Sequence, residues 1–358
     1  MAEYYDGSTL LRKTDINRRP AEIVFACSNR SAGKTTYFTK MLVDDFIKNG
    51  HRFCVLYRYA YECVNVADKF FSAVQDIFYQ DYYMTQKTGE KDTYLELYLH
   101  HKNDPENEML CGFAVALTKS DQLKRCSNRL AGDSKNPLEW IYFDEFQPEN
   151  GDYAPNEISR FQSIHTSLAR GGKDHAQSRF LKTILVSNYV SVLNPYFTAL
   201  GISSRLQDNT KFLRGDGWVL EQGFNASASN AQRESAFNRA FANTDYTKYA
   251  TERAVYLKDD TALVKKMTGE NQYILTFVYN KKEFAIRLFF ENDILYVSNS
   301  VDSSHPRKYA INGDDMREDT ILIKGSSLLA RLREKFECGA FRFSSLEAKE
   351  ATFALLSY

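Results

Sequence analysis

The stretch EIVFACSNRSAGKTTYFTKMLVDDFIKNG, residues 22–50, limits the fold more than any other part of the chain. Its opening, EIVFAC, is an apolar run of the kind a strand buried on both faces requires. Its close places Phe38, Met41, Leu42 and Phe46 on one helical face, and Gly50 stands where a helix C-terminal glycine belongs. Between them lies SNRSAGKTT, residues 28–36, close to the pattern Gly, four residues, Gly-Lys-Ser/Thr. Gly33, Lys34 and Thr35 are in place, Ser28 stands at the first glycine, and Arg30 sits inside the loop. Strand, loop and helix in this order turn backbone amides and a helix N-terminus toward one point, which suits a phosphate. The unit implies an α/β fold with this strand inside a largely parallel sheet.

The rest of the N-terminal part agrees with that frame. FCVLYRY (53–59) reads as a second strand, and TYLELYLH and MLCGFAVAL pair as a hairpin across HKNDPEN. WIYFDEF (140–146) is an apolar run ending in two acids, and PNEISRFQSIHTSLAR is helical from Pro155. FLKTILVSN (180–188) returns as a strand. Strands interleaved with helices predict a parallel-rich sheet covered on both faces. Near residue 205 the texture changes to the small, polar run NASASNAQRESAFNRAFANTDYTKYATERA. The expected organisation is a nucleotide-binding domain over 1–207, a linker or small helical subdomain over 208–255, and a C-terminal α+β domain over 256–358. In that last domain YILTFVYNKKEFAIRLFFENDILYVSNS reads as an antiparallel meander. An amphipathic helix, SLLARLREKFECG, follows, and then a helix opened by the capping box Ser344-x-x-Glu347.

Charge narrows the partners. The 46 basic and 46 acidic residues balance, whereas a protein that grips nucleic acid tightly as a monomer carries a basic excess. Contact with DNA or RNA is therefore expected as a local patch, a weak cyclic grip, or a surface shared between subunits. No apolar run approaches the roughly 18 residues of a membrane span, and the first residues lack a signal pattern, so the expected compartment is the cytoplasm. The six cysteines form no CxxC or Cys/His cluster and read as reduced thiols.

The chemistry follows from residue types. Ser28, Asn29, Arg30, Ser31, Ala32, Gly33, Lys34, Thr35 and Thr36 would cradle a nucleotide, with Lys34 on the β- and γ-phosphates and Thr35 on magnesium. Asp144, at the end of a buried strand, is the expected second metal residue, acting through water. Glu145 would orient and deprotonate the attacking water. Asn188, ending the next strand, is placed to sense the γ-phosphate. Arg30 and Arg170 are both candidates to stabilise charge on the transferred phosphoryl group. TKSD (118–121) matches a guanine-specificity pattern, but it precedes the acidic strand and DEFQ lacks the glycine a GTPase switch needs, so specificity for GTP is not expected.

With YFDEFQPENGDYAPNEISRF and LVSNYVSVLNPYF in this order, the chain resembles the DNA-packaging ATPases of small protein-primed tailed phages, the phi-29-like group, and more distantly the large terminases. The resemblance implies an additional-strand, terminase/RecA-like P-loop NTPase domain followed by an RNase H-like domain. It implies ATP and Mg2+ as cofactors, with Lys34 and Thr35 as the phosphate and metal pair, Asp144 and Glu145 as the acidic pair, and Asn188 in the coupling motif. Arg170, with Arg179 as the alternative alignment, falls where an arginine acts across subunits, and Lys124 where a basic residue faces the neighbour's nucleotide. The implied partners are double-stranded DNA, the phage portal, a structural packaging RNA in some relatives, and further copies in a ring, a pentamer by family analogy. No membrane partner is expected. The implied place of action is the host cytoplasm, transiently on the procapsid. Two other readings stay open: a stand-alone ATPase or helicase on nucleic acid, and a terminase-type nuclease. A working nuclease of this fold needs an acid on its first strand. YILTFVY has none, and Asp302, Asp314 and Asp315 lie further along. Arg331, Arg333 and Lys335 give the following helix a basic face suited to nucleic acid or portal docking.

Overall fold

The computed structural model describes residues 4–132, 135–170, 179–207 and 209–357. The chain forms two compact units, residues 1–200 with 206–257, and residues 201–205 with 258–358.

In the first unit nine strands form one sheet: β1 (Ile23–Cys27), β2 (Arg52–Tyr57), β3 (Tyr82–Thr88), β4 (Tyr94–His101), β5 (Asp104–Ala116), β6 (Leu138–Asp144), β7 (Lys182–Ser187), β8 (Phe212–Gly215) and β9 (Trp218–Gln222). The order is β3-β4-β5-β2-β6-β7-β1-β9-β8. The run from β5 to β9 is parallel, while β3, β4 and β8 add antiparallel edges. The central strands are apolar because both faces are covered, and Val24, Phe25, Ala26, Ile141, Phe143, Ile184 and Leu185 are all within 1% of complete burial. Helix α1 (Lys34–Asn49) packs Phe38, Leu42 and Phe46 into the core beside α2 (Val66–Phe78).

Two sequence expectations are corrected here, and one strand is added. Residues 208–255 are not a linker of their own. Their first part supplies β8 and β9, and β9 pairs in parallel with β1, so the segment belongs to the first sheet. Its remainder folds as three short helices, α4 (Ala226–Glu234), α5 (Ala236–Ala240) and α6 (Asp245–Thr251). The hairpin turn is tighter than expected, because His101 pairs with Asp104 and the strand runs on through Pro105. The strand β3 falls in a stretch whose side chains are only half-buried and therefore carry little apolar signal.

In the second unit the strands are β10 (Asn271–Tyr279), β11 (Lys282–Phe289), β12 (Ile294–Ser298), β13 (Lys308–Ala310), β14 (Thr320–Leu322) and β15 (Phe341–Phe343), in the order β14-β13-β10-β11-β12-β15. Only β10, β11 and β12 form the expected antiparallel meander; β13, β14 and β15 join in parallel. A mixed sheet with β13 and β14 added beside β10 agrees with the RNase H-like expectation. Phe277, Phe284, Ile286 and Val297 pack against Leu329 and Leu332 of α7 (Ser327–Glu337) and Ala348, Ala351 and Leu355 of α8 (Leu346–Ser357). Ser345, not Ser344, caps α8 by accepting from the Ala348 amide at 3.2 Å. Glu347 is drawn away from any capping box because its carboxylate accepts from Lys282 at 2.5 Å.

Candidate nucleotide site

The parallel register brings the predicted residues together. Ala26 lies level with Val186, and Val186 with Asp144, so β1, β6 and β7 end on the same edge of the sheet. The loop leaves β1, Asp144 ends β6, and Asn188 follows β7. They surround a cleft of about 340 Å³ lined by residues 30–36, Asp144, Glu145, Val186, Ser187 and Asn188. In an open parallel sheet, this edge is where ligands bind.

Gly33 caps α1 in the left-handed region (φ 93°). Space is not what demands glycine there, since a Cβ would meet nothing closer than 3.8 Å; the backbone conformation is. The serine at the first glycine position is accommodated by being buried, 1% exposed, with its hydroxyl donating to the Asn29 carbonyl at 3.1 Å. The same hydroxyl accepts from the Lys34 ammonium at 2.7 Å. Lys34 also donates to Asn188 Oδ1 at 3.1 Å and to the Asn29 carbonyl at 3.3 Å. Burial pushes the lysine down to about 8 against the opposing pull of Cys27 and Asp144. A cation held this way is surrounded by neutral oxygens, with Asp144 as the nearby charge.

The Thr35 hydroxyl donates to Asp144 Oδ2 at 2.8 Å, and the Glu145 amide donates to Asp144 Oδ1 at 2.9 Å. Burial raises Asp144 above the usual carboxylate range, although Thr35 and the Glu145 amide oppose it. Loss of solvation, then Asp144 and Glu149, raise Glu145 as well. Glu145 is left-handed (φ 54°) and exposed, and it is one of the residues lining the cleft. A hydroxyl and a carboxylate at this separation are hard oxygen donors, the set that holds Mg2+ with water and phosphate oxygens. Among the described residues no cluster of three His, Cys, Asp or Glu forms a cage of its own, which this mode of binding does not need.

The arginines are placed differently from one another. Arg30 lines the rim but is paired with Glu149 and donates to the Tyr246 hydroxyl at 2.5 Å. Arg170 is exposed and extended just beyond α3 (Glu157–Ala169), outside the cleft lining of its own subunit. Its neighbours Gly171 and Gly172 lie outside the described residues. Arg179 folds back onto α3, donating through its guanidinium to the Leu168 carbonyl at 3.2 Å and through its amide to the Ala169 carbonyl at 3.0 Å. It is tied to a helix end, unlike Arg170. Lys124 is exposed, outside the cleft lining, and pairs with Asp121 at 2.9 Å.

The most specific sequence blocks turn out to brace the site from below. Glu157, of the Pro-Asn-Glu element, accepts from Arg58 at 2.8 Å and 3.0 Å, from the Tyr196 hydroxyl at 2.9 Å and from the Ala154 amide at 2.7 Å. Arg58 also donates to the carbonyl of Phe146, next to Glu145. Asn194 caps the short helix that carries Tyr196 and Phe197, and both rings pack on Phe146. Arg58 was missed from sequence because its partner lies 99 residues away.

A parallel sheet with this loop, lysine and acidic strand end at one edge defines a P-loop nucleotide-binding domain. The chain belongs to the Podovirus DNA encapsidation protein (Gp16) family, which matches residues 2–357. It is 25% identical over 336 residues to the DNA packaging protein of Bacillus phage PZA and 24% identical to that of Bacillus phage phi29, covering 92% of each chain in both cases. It shares its fold with a chain of the bacteriophage Phi-29 viral genome packaging motor assembly (TM-score 0.67, 21% identity), covering 99% of this chain and 98% of that one. No helix among the described residues is long and apolar enough to cross a membrane.

Proposed function

We propose that the chain is the ATP-hydrolysing subunit of a ring motor that drives double-stranded DNA through the portal into a phage procapsid. The observation that carries it is the convergence of Lys34, Thr35, Asp144, Glu145 and Asn188 on one cleft, in a chain of the DNA encapsidation family. Lys34 binds the β- and γ-phosphates while residues 28–36 surround them with amides. Thr35, directly, and Asp144, through water, would hold Mg2+, which neutralises phosphate charge. Glu145 takes a proton from the attacking water, and its raised basicity suits that task. ATP hydrolysis should rise with duplex DNA together with procapsids; stimulation by single strands alone would instead favour a helicase. Relatives named as DNA packaging proteins support DNA as a partner, and the portal is carried by family analogy. A pentameric ring and a packaging RNA are carried by family analogy.

Arg170 acts in trans in this reading. It is exposed, outside the cleft of its own subunit, and has no hydrogen-bond or ion-pair partner among the described residues. An arginine that enters a neighbour's site stabilises developing charge only when the interface closes. Rings of Arg170→Ala subunits and rings of Lys34→Ala subunits should each be inactive, and mixed rings should regain hydrolysis at interfaces joining an intact pocket to an intact arginine. If co-assembled mixtures stay as inactive as their parents, Arg170 is not the trans residue, and Arg30 becomes the leading candidate within its own subunit.

The second unit binds rather than cuts. Asp315 accepts from the Asn280 and Lys281 amides at 3.1 Å and 2.8 Å, so its carboxylate holds a hairpin turn of two left-handed residues. Asp302 is engaged by the Ser304 amide and hydroxyl. Supercoiled plasmid should remain intact with Mg2+ or Mn2+; cleavage lost in Asp302→Ala would overturn this reading.

A further inference from the structure

The phosphate loop is fastened from outside by a segment some two hundred residues later in the chain. Asn29, completely buried, pairs in both directions with Asn225: its amide donates to the Asn225 carbonyl at 3.0 Å and its Oδ1 accepts from the Asn225 amide at 2.8 Å. Asn225 reaches back to the Ala32 carbonyl at 3.4 Å while its own Oδ1 caps α4 through the Ala228 amide at 2.9 Å. Gln232 of α4 donates to the Ser31 hydroxyl at 2.7 Å, and Tyr246 of α6 accepts from Arg30. Each residue from 29 to 32 therefore has a partner between 225 and 246.

We infer that Asn225, Gln232 and Tyr246 are positioning residues for the nucleotide: they hold the outer half of the phosphate loop in its binding shape. The inference rests on the reading of this loop as an ATP site. Its physical basis is preorganisation. The loop's left-handed Ser31 (φ 59°) and its run of converging amides must be ordered before phosphate can be gripped. In a chain with serine at the first loop position, bonds from α4 and α6 do that ordering before the ligand arrives. Such bonds act on ground state and transition state alike, so their loss raises KM and leaves kcat in place.

The test measures ATP affinity, KM and kcat in the full-length protein for Asn225→Ser, Gln232→Ala and Tyr246→Phe. Asn225→Ser keeps an oxygen that can cap α4 and removes the amide that reaches Ala32. KM and the dissociation constant for ATP should rise about fivefold in each variant, with kcat within about twofold of the parent. Ser235→Ala removes the cap of α5, whose bonds stay within the helical segment, and should lower the melting temperature without moving KM. Should the three loop-facing variants keep the parent KM, or should Ser235→Ala raise it equally, the helices are scaffold only and the inference falls. Lys34→Ala, measured in parallel, separates the two levels. Unchanged ATP binding in that variant removes the ATP-site reading and this inference together; weakened binding there, with the three variants unaffected, removes the inference alone.

Discussion

Replacing Glu145 with Gln should leave ATP binding intact and lower turnover by about 10²–10⁴-fold, the range a positioned general base supplies. The substitution keeps the size of the side chain and removes only its capacity to accept a proton. The bond to Asp144 is kept, because it runs through the Glu145 backbone amide. ATP affinity should hold or improve, since a negative charge next to Asp144 and Glu149 disappears. Lys34→Ala should behave differently, losing affinity as well as turnover, because in the proposed mechanism the lysine holds the phosphates in ground state and transition state alike. Equilibrium binding of ATP and single-turnover hydrolysis, measured side by side, distinguish the two patterns. Near-normal hydrolysis by Glu145→Gln would remove Glu145 from the mechanism.

The second large effect is structural. Glu157→Ala should destabilise the first unit by about 3–5 kcal/mol, the cost of leaving a buried charge without its partner. The side chains of Arg58 and Glu157 are 6% and 1% exposed, so water cannot replace the lost carboxylate. The Tyr196 hydroxyl and the Ala154 amide lose their acceptor in the same step. In a unit of this size the melting temperature should fall by roughly 6–20 °C. Arg58→Met combined with Glu157→Leu should recover part of the loss, because the double change removes both charges instead of stranding one. A loss below about 1 kcal/mol for Glu157→Ala would mean the pair is solvated in solution and braces nothing.

The loop, its helix and the acidic strand end were legible because each is written in consecutive residues. An apolar run ending in Asp144 and Glu145 announces a buried strand and its chemistry together. Neighbours across a parallel sheet carry no such signal. Nothing local states that β1 lies between β7 and β9, and WVLEQ gave no warning that it pairs with IVFAC. The strands β3 and β8 are partly buried edge strands, where one side of the pattern is missing. The same limit applies to the site. Arg30 was visible as a loop residue, but its ties to Glu149 and Tyr246 depend on folding across 119 and 216 positions. The conspicuous block from Asn194 to Phe197 was legible as a motif, while its work as a brace for Phe146 required the packing.

The placement of β1 has a consequence for how the chain is made. Both of its neighbours, Lys182–Ser187 and Trp218–Gln222, follow it by more than 150 residues. At the ~5–20 residues per second of synthesis, Ile23–Cys27 leaves the ribosome roughly 10–30 s before the first strand it can pair with. Through that interval an apolar segment with unpaired amides on both sides is available to other nascent copies. Hydrogen-bonded closure of the sheet waits for the most distant contacts, the slow kind in any folding reaction. Yield of native protein should therefore depend on elongation rate and on chaperone supply during translation more than on the stability of the finished fold.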